Sequence, residues 1–343
     1  MKALVLEEAM KLAFRDSPTP KPGFREVLIR VKAVGICGSD VHGMDGSTGR
    51  RRPPVIMGHE ASGVIEELGT GVSSFRVGDR VTFDSTIWCG ECPYCRSGRV
   101  NLCDHRRVLG VSCDEYRQEG AFAEYVVVPD RILFPIPEAL DFVGAALTEP
   151  VAVVAHAAAL TPIQRNETLL VVGTGLIGLL LIQVLRSGHS GRIVAVDLDQ
   201  TRLDQAEKFG ADHTFLATNP DLAAEIRDLT GGRGADRAFE AVGATAPIKT
   251  AVSCVRKGGS VTLIGNLSPQ IDLPLQTVVT RELTLYGSCA IAGEYPLALD
   301  LMARNKIDHR GVVSAVRPLA EGASWFDKLY RKEPGLLKVV LEP

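Results

Sequence analysis

Between Thr168 and Leu185 the chain runs 18 residues without a charge, and three glycines decide what that run can become. Roughly 20 apolar residues are needed to cross a bilayer as a helix. Gly173, Gly175 and Gly178 instead break the run into a strand, a turn and a helix start. In Gly173-Thr174-Gly175-Leu176-Ile177-Gly178 the first glycine bends the chain and the second admits close backbone approach to a pyrophosphate. The third lets the helix pack against the strand. The amides of Leu176 and Ile177 then open the helix facing the phosphates, with the helix dipole assisting. Asp197 ends the next apolar strand, 19 residues after Gly178, where a carboxylate can accept both ribose hydroxyls of an adenosine. Its charge opposes a 2′-phosphate, which argues for NAD over NADP. Arg202 is close enough in sequence to soften that repulsion, or is a solvated helix residue.

Around this turn, strands and helices alternate. Leu169 to Val172, Arg192 to Val196, Arg237 to Ala241, Ser260 to Ile264 and Leu283 to Tyr286 read as strands. Leu176 to Ser187, Gln200 to Phe209, Asp221 to Thr230 and Ala246 to Val255 read as helices. Such alternation implies an α/β, doubly wound parallel Rossmann sheet. Before Thr148 the pattern differs: Glu26 to Val34, Gly63 to Leu68, Arg80 to Phe83 and Phe122 to Val128 are short strands separated by Gly, Pro and Asp. They predict an antiparallel, barrel-like domain. The amphipathic helix Glu294 to Arg304 and the strand Leu337 to Leu341 have no place in a completed parallel sheet. The expected division is therefore residues 1–148 with 288–343 as one domain and residues 149–287 as the dinucleotide-binding domain.

Charge narrows the partners. With 38 Lys plus Arg against 41 Asp plus Glu, the net charge of −3 supplies no field for nucleic acid or an anionic membrane. The first residues carry Glu7 and Glu8 inside their apolar run, so neither a signal-peptide core nor a basic transit helix is read there, and a cytoplasmic protein is expected. In that setting eight cysteines point to metal or catalysis before disulfides.

Cys89, Cys92, Cys95 and Cys103 lie among loop formers, and four thiolates so spaced can close a tetrahedral zinc shell with no open position. The rival readings are four unrelated thiols or a nucleic-acid zinc ribbon. The second fits poorly, because Arg96, Arg99, Arg106 and Arg107 lack interleaved aromatics. A second, dispersed set comprises Cys37, then Gly58-His59-Glu60, and Glu149 before Pro150. One thiolate, one imidazole and one carboxylate form a three-ligand zinc site open to water or substrate. Spacing alone leaves ordinary packing of a lone Cys and His as the alternative.

With these motifs in order, the sequence resembles the zinc-containing medium-chain dehydrogenase/reductase family, in its sorbitol (polyol) dehydrogenase branch, over essentially the whole chain. Gly58-His59-Glu60 followed by Gly63, Gly69 and Val72 matches that family's zinc signature, and Gly78-Asp79-Arg80-Val81 is similar to the segment that follows it. The resemblance implies a GroES-like domain beside the Rossmann domain and two zinc ions per chain, one catalytic and one structural. It places Cys37, His59 and Glu60 around the catalytic zinc, with Glu149 either a ligand or holding its water. Ser39 and His42 match the family's proton relay. Homodimers or homotetramers associating through the cofactor-domain sheet edge are implied as well.

The implied reaction moves a hydride from a secondary alcohol, such as a polyol, to NAD+. Sorbitol dehydrogenases hold the polyol with an Arg-Tyr pair where this chain has Ala290 and Ile291, which puts sorbitol itself in doubt. Threonine, butanediol and polyol-phosphate dehydrogenases remain as alternatives. Arg50-Arg51-Arg52 could draw a phosphorylated or carboxylated substrate, or form a solvated loop. Two further rivals are a zinc-free quinone reductase, which has no use for the cysteines, and a non-catalytic zinc- and NAD-binding protein.

Overall fold

The computed structural model describes residues 1–113 and 116–343. It divides into two compact units: residues 1–152 with 290–303 and 309–343, and residues 153–289 with 304–308. The first division falls inside the helix Thr148–Leu160, four residues beyond the point where the sequence pattern changes. The return of 304–308 to the second unit has a local cause, since the Asp308 N–H donates to Gln183 Oε1 at 2.5 Å.

The first unit is built on a seven-stranded sheet. In order across it run Leu133–Pro135, Arg80–Phe83, Glu60–Leu68, Glu26–Gly35, Lys338–Glu342 and Val313–Pro318, with Tyr125–Pro129 also paired to Glu26–Gly35. Most pairs are antiparallel, as expected; Val313–Pro318 and Lys338–Glu342 run parallel. Alternation along Glu26–Gly35 sends Val27, Ile29 and Val31, and after a register shift Val34, into a core shared with Leu4, Phe83, Phe122 and Phe326. Val313–Pro318 and the helix Gly322–Tyr330 are two elements the sequence pattern did not disclose. The strand is half exposed and alternates with polar residues, so it carries little apolar signal.

Register in this sheet gathers distant residues. Gly35 pairs with Glu60 on one side and with Val340 on the other. Cys37, just past the end of one strand, Glu60, opening the second, and Lys338, opening the third, are thereby brought to one end of the sheet.

The second unit is a six-stranded parallel sheet in the order His213–Leu216, Ile193–Asp197, Leu169–Val172, Ala235–Glu240, Val255–Leu263, Thr284–Gly287. His213–Leu216 is not among the strands expected from the sequence. That strand is four residues long, only partly buried and at the sheet edge, so neither length nor hydrophobic run announces it. The order reverses beside Leu169–Val172, which is the switch point where ligands bind at the carboxyl ends of strands in such sheets. Among the described residues, no helix is long and apolar enough to cross a membrane.

Candidate metal centres and dinucleotide site

The ligand atoms of Cys37, His59 and Glu60 lie within 4.8 Å of one another. Cys37 caps the helix Gly38–Gly43, and its Sγ accepts from the Ser39 N–H at 3.5 Å and from Ser39 Oγ at 3.4 Å. His59 is buried, with Nδ1 3.5 Å from Asp40 Oδ2. Among the described residues neither of these two atoms has another partner, an arrangement that leaves Nε2 for a metal. A carboxylate behind the imidazole is the support that metal-binding histidines commonly have. Burial disfavours charge on both residues. Their mutual attraction, with Arg51 beside Asp40 and Cys37 beside His59, overrides it, holding Asp40 well below and His59 well above their ordinary ranges.

Glu60 is 1% exposed, and Lys338, equally buried, donates to its Oε2 and, at 3.0 Å, to the Ile36 carbonyl. The other Glu60 oxygen remains for a metal. Glu149 is not in the 4.8 Å triplet. It is 8% exposed and accepts from Ser85 Oγ at 3.3 Å. Burial first, with Glu60 and Asp84 adding to it, pushes its carboxyl up to about 7. One soft thiolate, one imidazole backed by a carboxylate and one carboxylate oxygen make a donor set that fits zinc and leaves a coordination position free.

Cys89, Cys92, Cys95 and Cys103 also come within 4.8 Å of one another. Backbone amides point at the sulfurs: Cys89 N to Cys103 Sγ and His105 N to the same atom at 3.3 Å, Cys92 N to Cys89 Sγ at 3.4 Å, and Cys95 N to Cys92 Sγ at 3.5 Å. Amides directed at sulfur favour thiolates, and the Cys95 amide first among its neighbours brings Cys92 down to about 6. Four thiolates fit a closed structural zinc.

In the second unit, Gly173 has φ +92 and Gly175 caps the helix Leu176–Gly188 without a side-chain bond. A Cβ on Gly178 would collide with the Gly173 carbonyl oxygen, whereas one on Gly175 would meet nothing within 4 Å. The turn is therefore tight where helix meets strand and open where a pyrophosphate would come close. Asp197 accepts from Thr174 N at 2.6 Å, Leu198 N at 2.7 Å and Asp199 N at 3.1 Å, which fixes its carboxylate beside the turn. Arg202 faces Asp199, at 3.9 Å, and not Asp197.

Four residues have supporting roles that the sequence does not disclose. Asp40 and Lys338 are buried charges whose partners lie 11 or more residues away. Glu240, wholly buried, accepts from Val242 N and Gly243 N and pins the loop after its strand. Arg51, read as a candidate anion attractor or a solvated residue, is 4% exposed and bound to Asp40 and Ser39. Only Asp40, inside Gly38-Ser39-Asp40-Val41-His42, carried a local signal.

Comparison with known proteins agrees with this geometry. Residues 23–138 match the alcohol dehydrogenase GroES-like domain, and residues 177–304 match the zinc-binding dehydrogenase domain. A sorbitol dehydrogenase of Halalkalibacterium halodurans is 37% identical over 100% of this chain and 99% of its own. A D-arabitol-phosphate dehydrogenase of Enterococcus avium is 33% identical over 97% of this chain and 94% of its own. A crystal structure of a zinc-binding dehydrogenase from Sinorhizobium meliloti bound to NADP superposes with a TM-score of 0.90 at 32% identity, over 100% of this chain and 99% of that one.

Proposed function

The chain belongs to the zinc-binding alcohol dehydrogenase family, an oxidoreductase acting on CH–OH donors, and from that membership we propose that it oxidises a secondary alcohol of a polyol to the ketone with NAD+. The observation that carries the reading is the convergence of Cys37, His59 and Glu60 at one end of the sheet, with Ser39 beside Cys37. A zinc ion held by these residues would supply Lewis-acid polarisation of the alcohol, and a bound nicotinamide would supply the hydride acceptor.

The chain's own residues do the rest. Cys37, His59 and Glu60 hold the metal, and Asp40 behind His59 keeps the imidazole tautomer that presents Nε2. Glu149 supports the site from the adjoining helix. Ser39 Oγ takes the proton of the substrate hydroxyl. His42 lies three residues further on the same helix and is exposed, so it can pass that proton to solvent. Cys89, Cys92, Cys95 and Cys103 hold a second, structural zinc. Gly173, Gly175, Leu176, Ile177 and Gly178 cradle the pyrophosphate, and Asp197 receives the adenosine ribose.

Asp197 supports NAD over NADP, because Arg202 turns to Asp199 and leaves its charge unmatched. Ile291 is wholly buried and Ala290 offers only a methyl, so a long polyol has no hydroxyl partners at those positions. This supports a shorter or differently held substrate. Polyol phosphates form a second reading, favoured by the arabitol-phosphate relative. The eight free cysteines support a reducing, cytoplasmic setting. Among the described residues the strand Thr284–Gly287 has a sheet neighbour on one side alone, and Leu275 and Val279 are each 64% exposed. Both features support a homodimer or homotetramer through that edge.

The test is formation of reduced nicotinamide over a panel of polyols, polyol phosphates, butanediol, simple secondary alcohols and threonine, with NAD+ and NADP+ compared. A polyol preferred with NAD+ supports the reading; a better phosphorylated polyol selects the second. Silence over the whole panel with zinc and NAD+ bound overturns both.

A further inference from the structure

Arg51 lies between two arginines in sequence but not in space with them. It is 4% exposed, while Arg50 and Arg52 are exposed. Its Nη2 donates to Asp40 Oδ1 at 2.8 Å and to Ser39 Oγ at 3.2 Å. The stem of the side chain occupies room that only a glycine leaves: a Cβ on Gly43 would come 2.6 Å from Arg51 Cγ. Asp40 turns its other oxygen to His59 Nδ1 at 3.5 Å. One buried guanidinium thus joins the hydroxyl assigned to the proton and the carboxylate behind a metal-binding imidazole.

The donor count gives the bond a direction. A guanidinium donates and never accepts, and its charge persists at every working pH. Ser39 Oγ must therefore accept from Arg51, which occupies one of its two lone pairs. Its own hydrogen is directed to Cys37 Sγ at 3.4 Å. One lone pair remains, and that is what a proton acceptor needs. Without Arg51 the hydroxyl would sample its three staggered positions, including those that present hydrogen to the substrate oxygen.

Resting on the dehydrogenase reading above, we propose that Arg51 is a positioning residue for proton removal, holding the Ser39 hydroxyl with a lone pair free for the substrate while bracing Asp40 behind His59. In the oxidation the substrate O–H bond breaks as its proton joins Ser39 Oγ. The proton Ser39 already carried gives up its bond to Cys37 Sγ as this happens and leaves toward solvent by way of His42. The carbon-bound hydrogen departs with its electron pair to NAD+, leaving the ketone, NADH and one released proton.

The experiment compares Arg51→Met, Arg51→Lys, Gly43→Ala and, as a neighbouring control, Arg50→Met in the zinc-loaded, full-length enzyme. Read out are kcat, KM for NAD+, zinc content and the solvent deuterium isotope effect. For Arg51→Met, kcat is expected to fall about tenfold to a hundredfold, in the lower range of general acid–base effects. Zinc content and KM for NAD+ stay unchanged, and the isotope effect rises as proton transfer becomes limiting. Arg51→Lys restores part of the rate, since one ammonium still reaches a single partner. Gly43→Ala reproduces the loss with the charge retained, and Arg50→Met changes nothing. Should Arg51→Met fail to fold, the lysine and Gly43 variants still decide the matter. Unchanged kcat and isotope effect, or a loss of rate matched by loss of zinc, overturns the proposal. Silence of the unsubstituted enzyme over the alcohol panel instead overturns the reading on which it rests.

Discussion

Replacing Lys338 with Met isolates the energetic consequence of the buried charge beside the metal site. Lys338 and Glu60 are each 1% exposed, and the ammonium donates to Glu60 Oε2 and to the Ile36 carbonyl. Methionine keeps most of the aliphatic stem, so the change removes charge and donors more than volume. Breaking a buried ion pair from one side costs about 3–5 kcal/mol, because the remaining charge is left uncompensated in low dielectric. For a unit of this size each kcal/mol corresponds to about 2–4 °C, so the metal-free protein should melt about 6–20 °C lower. Zinc bound beside Glu60, as proposed, would be a second counter-charge, and the loss should shrink when the site is loaded. Adding Glu60→Gln to Lys338→Met should restore part of the stability by removing the stranded carboxylate. The assay is denaturant and thermal unfolding of the four proteins in a double-mutant cycle, with and without zinc. A loss below about 1 kcal/mol in metal-free Lys338→Met, or no recovery in the double variant, would refute the account of this pair.

Other consequences follow from the same geometry. Asp84 is 5% exposed, and burial first, with Glu294 adding to it, raises its carboxyl from 3.8 to about 7. The folded protein then holds a proton the unfolded chain has released. Its contribution is present below about pH 4 and is lost as pH rises through about 7. Asp84→Asn keeps an acceptor for the Thr86 amide, so it should stabilise the protein at about pH 8 and little at about pH 4, as read by denaturant midpoints. Gly178→Ala drives a methyl into the Gly173 carbonyl and should abolish NAD+ binding by calorimetry while leaving both zinc ions. Cys95→Ser should halve the zinc content and lower the melting temperature, with the Cys37 site still loaded; two retained zinc ions would remove the four-cysteine shell.

What could be read from the sequence was whatever is encoded locally. The glycine turn, the apolar strand before it and the acid after it occupy a contiguous stretch, and each position answers to its own backbone or ligand requirement. The four cysteines are likewise a local pattern. The Cys37, His59 and Glu60 centre was open from residue types and spacing alone, with ordinary packing as the alternative, because sheet register and not sequence proximity assembles it; a resemblance to a known family favoured the metal site. The roles of Lys338 and Arg51 were hidden for the same reason, one arriving from the last strand and the other folding inward from a run of three arginines that reads as an anion attractor or a solvated loop. The strand His213–Leu216 was missed because an edge strand needs little hydrophobicity. The short strand and helix before Lys338 were missed because their exposed faces dilute the pattern.

The central claim is that a metal held by Cys37, His59 and Glu60 is required to move a hydride from a secondary alcohol to NAD+. It is tested most directly by removing zinc with a chelator and restoring it while following polyol-dependent NADH formation, with NAD+ binding measured in parallel. The account predicts that turnover disappears on removal, returns with zinc and never returns in His59→Ala, while NAD+ binding persists throughout. Turnover that survives removal of both zinc ions, or that His59→Ala retains in full, would contradict it.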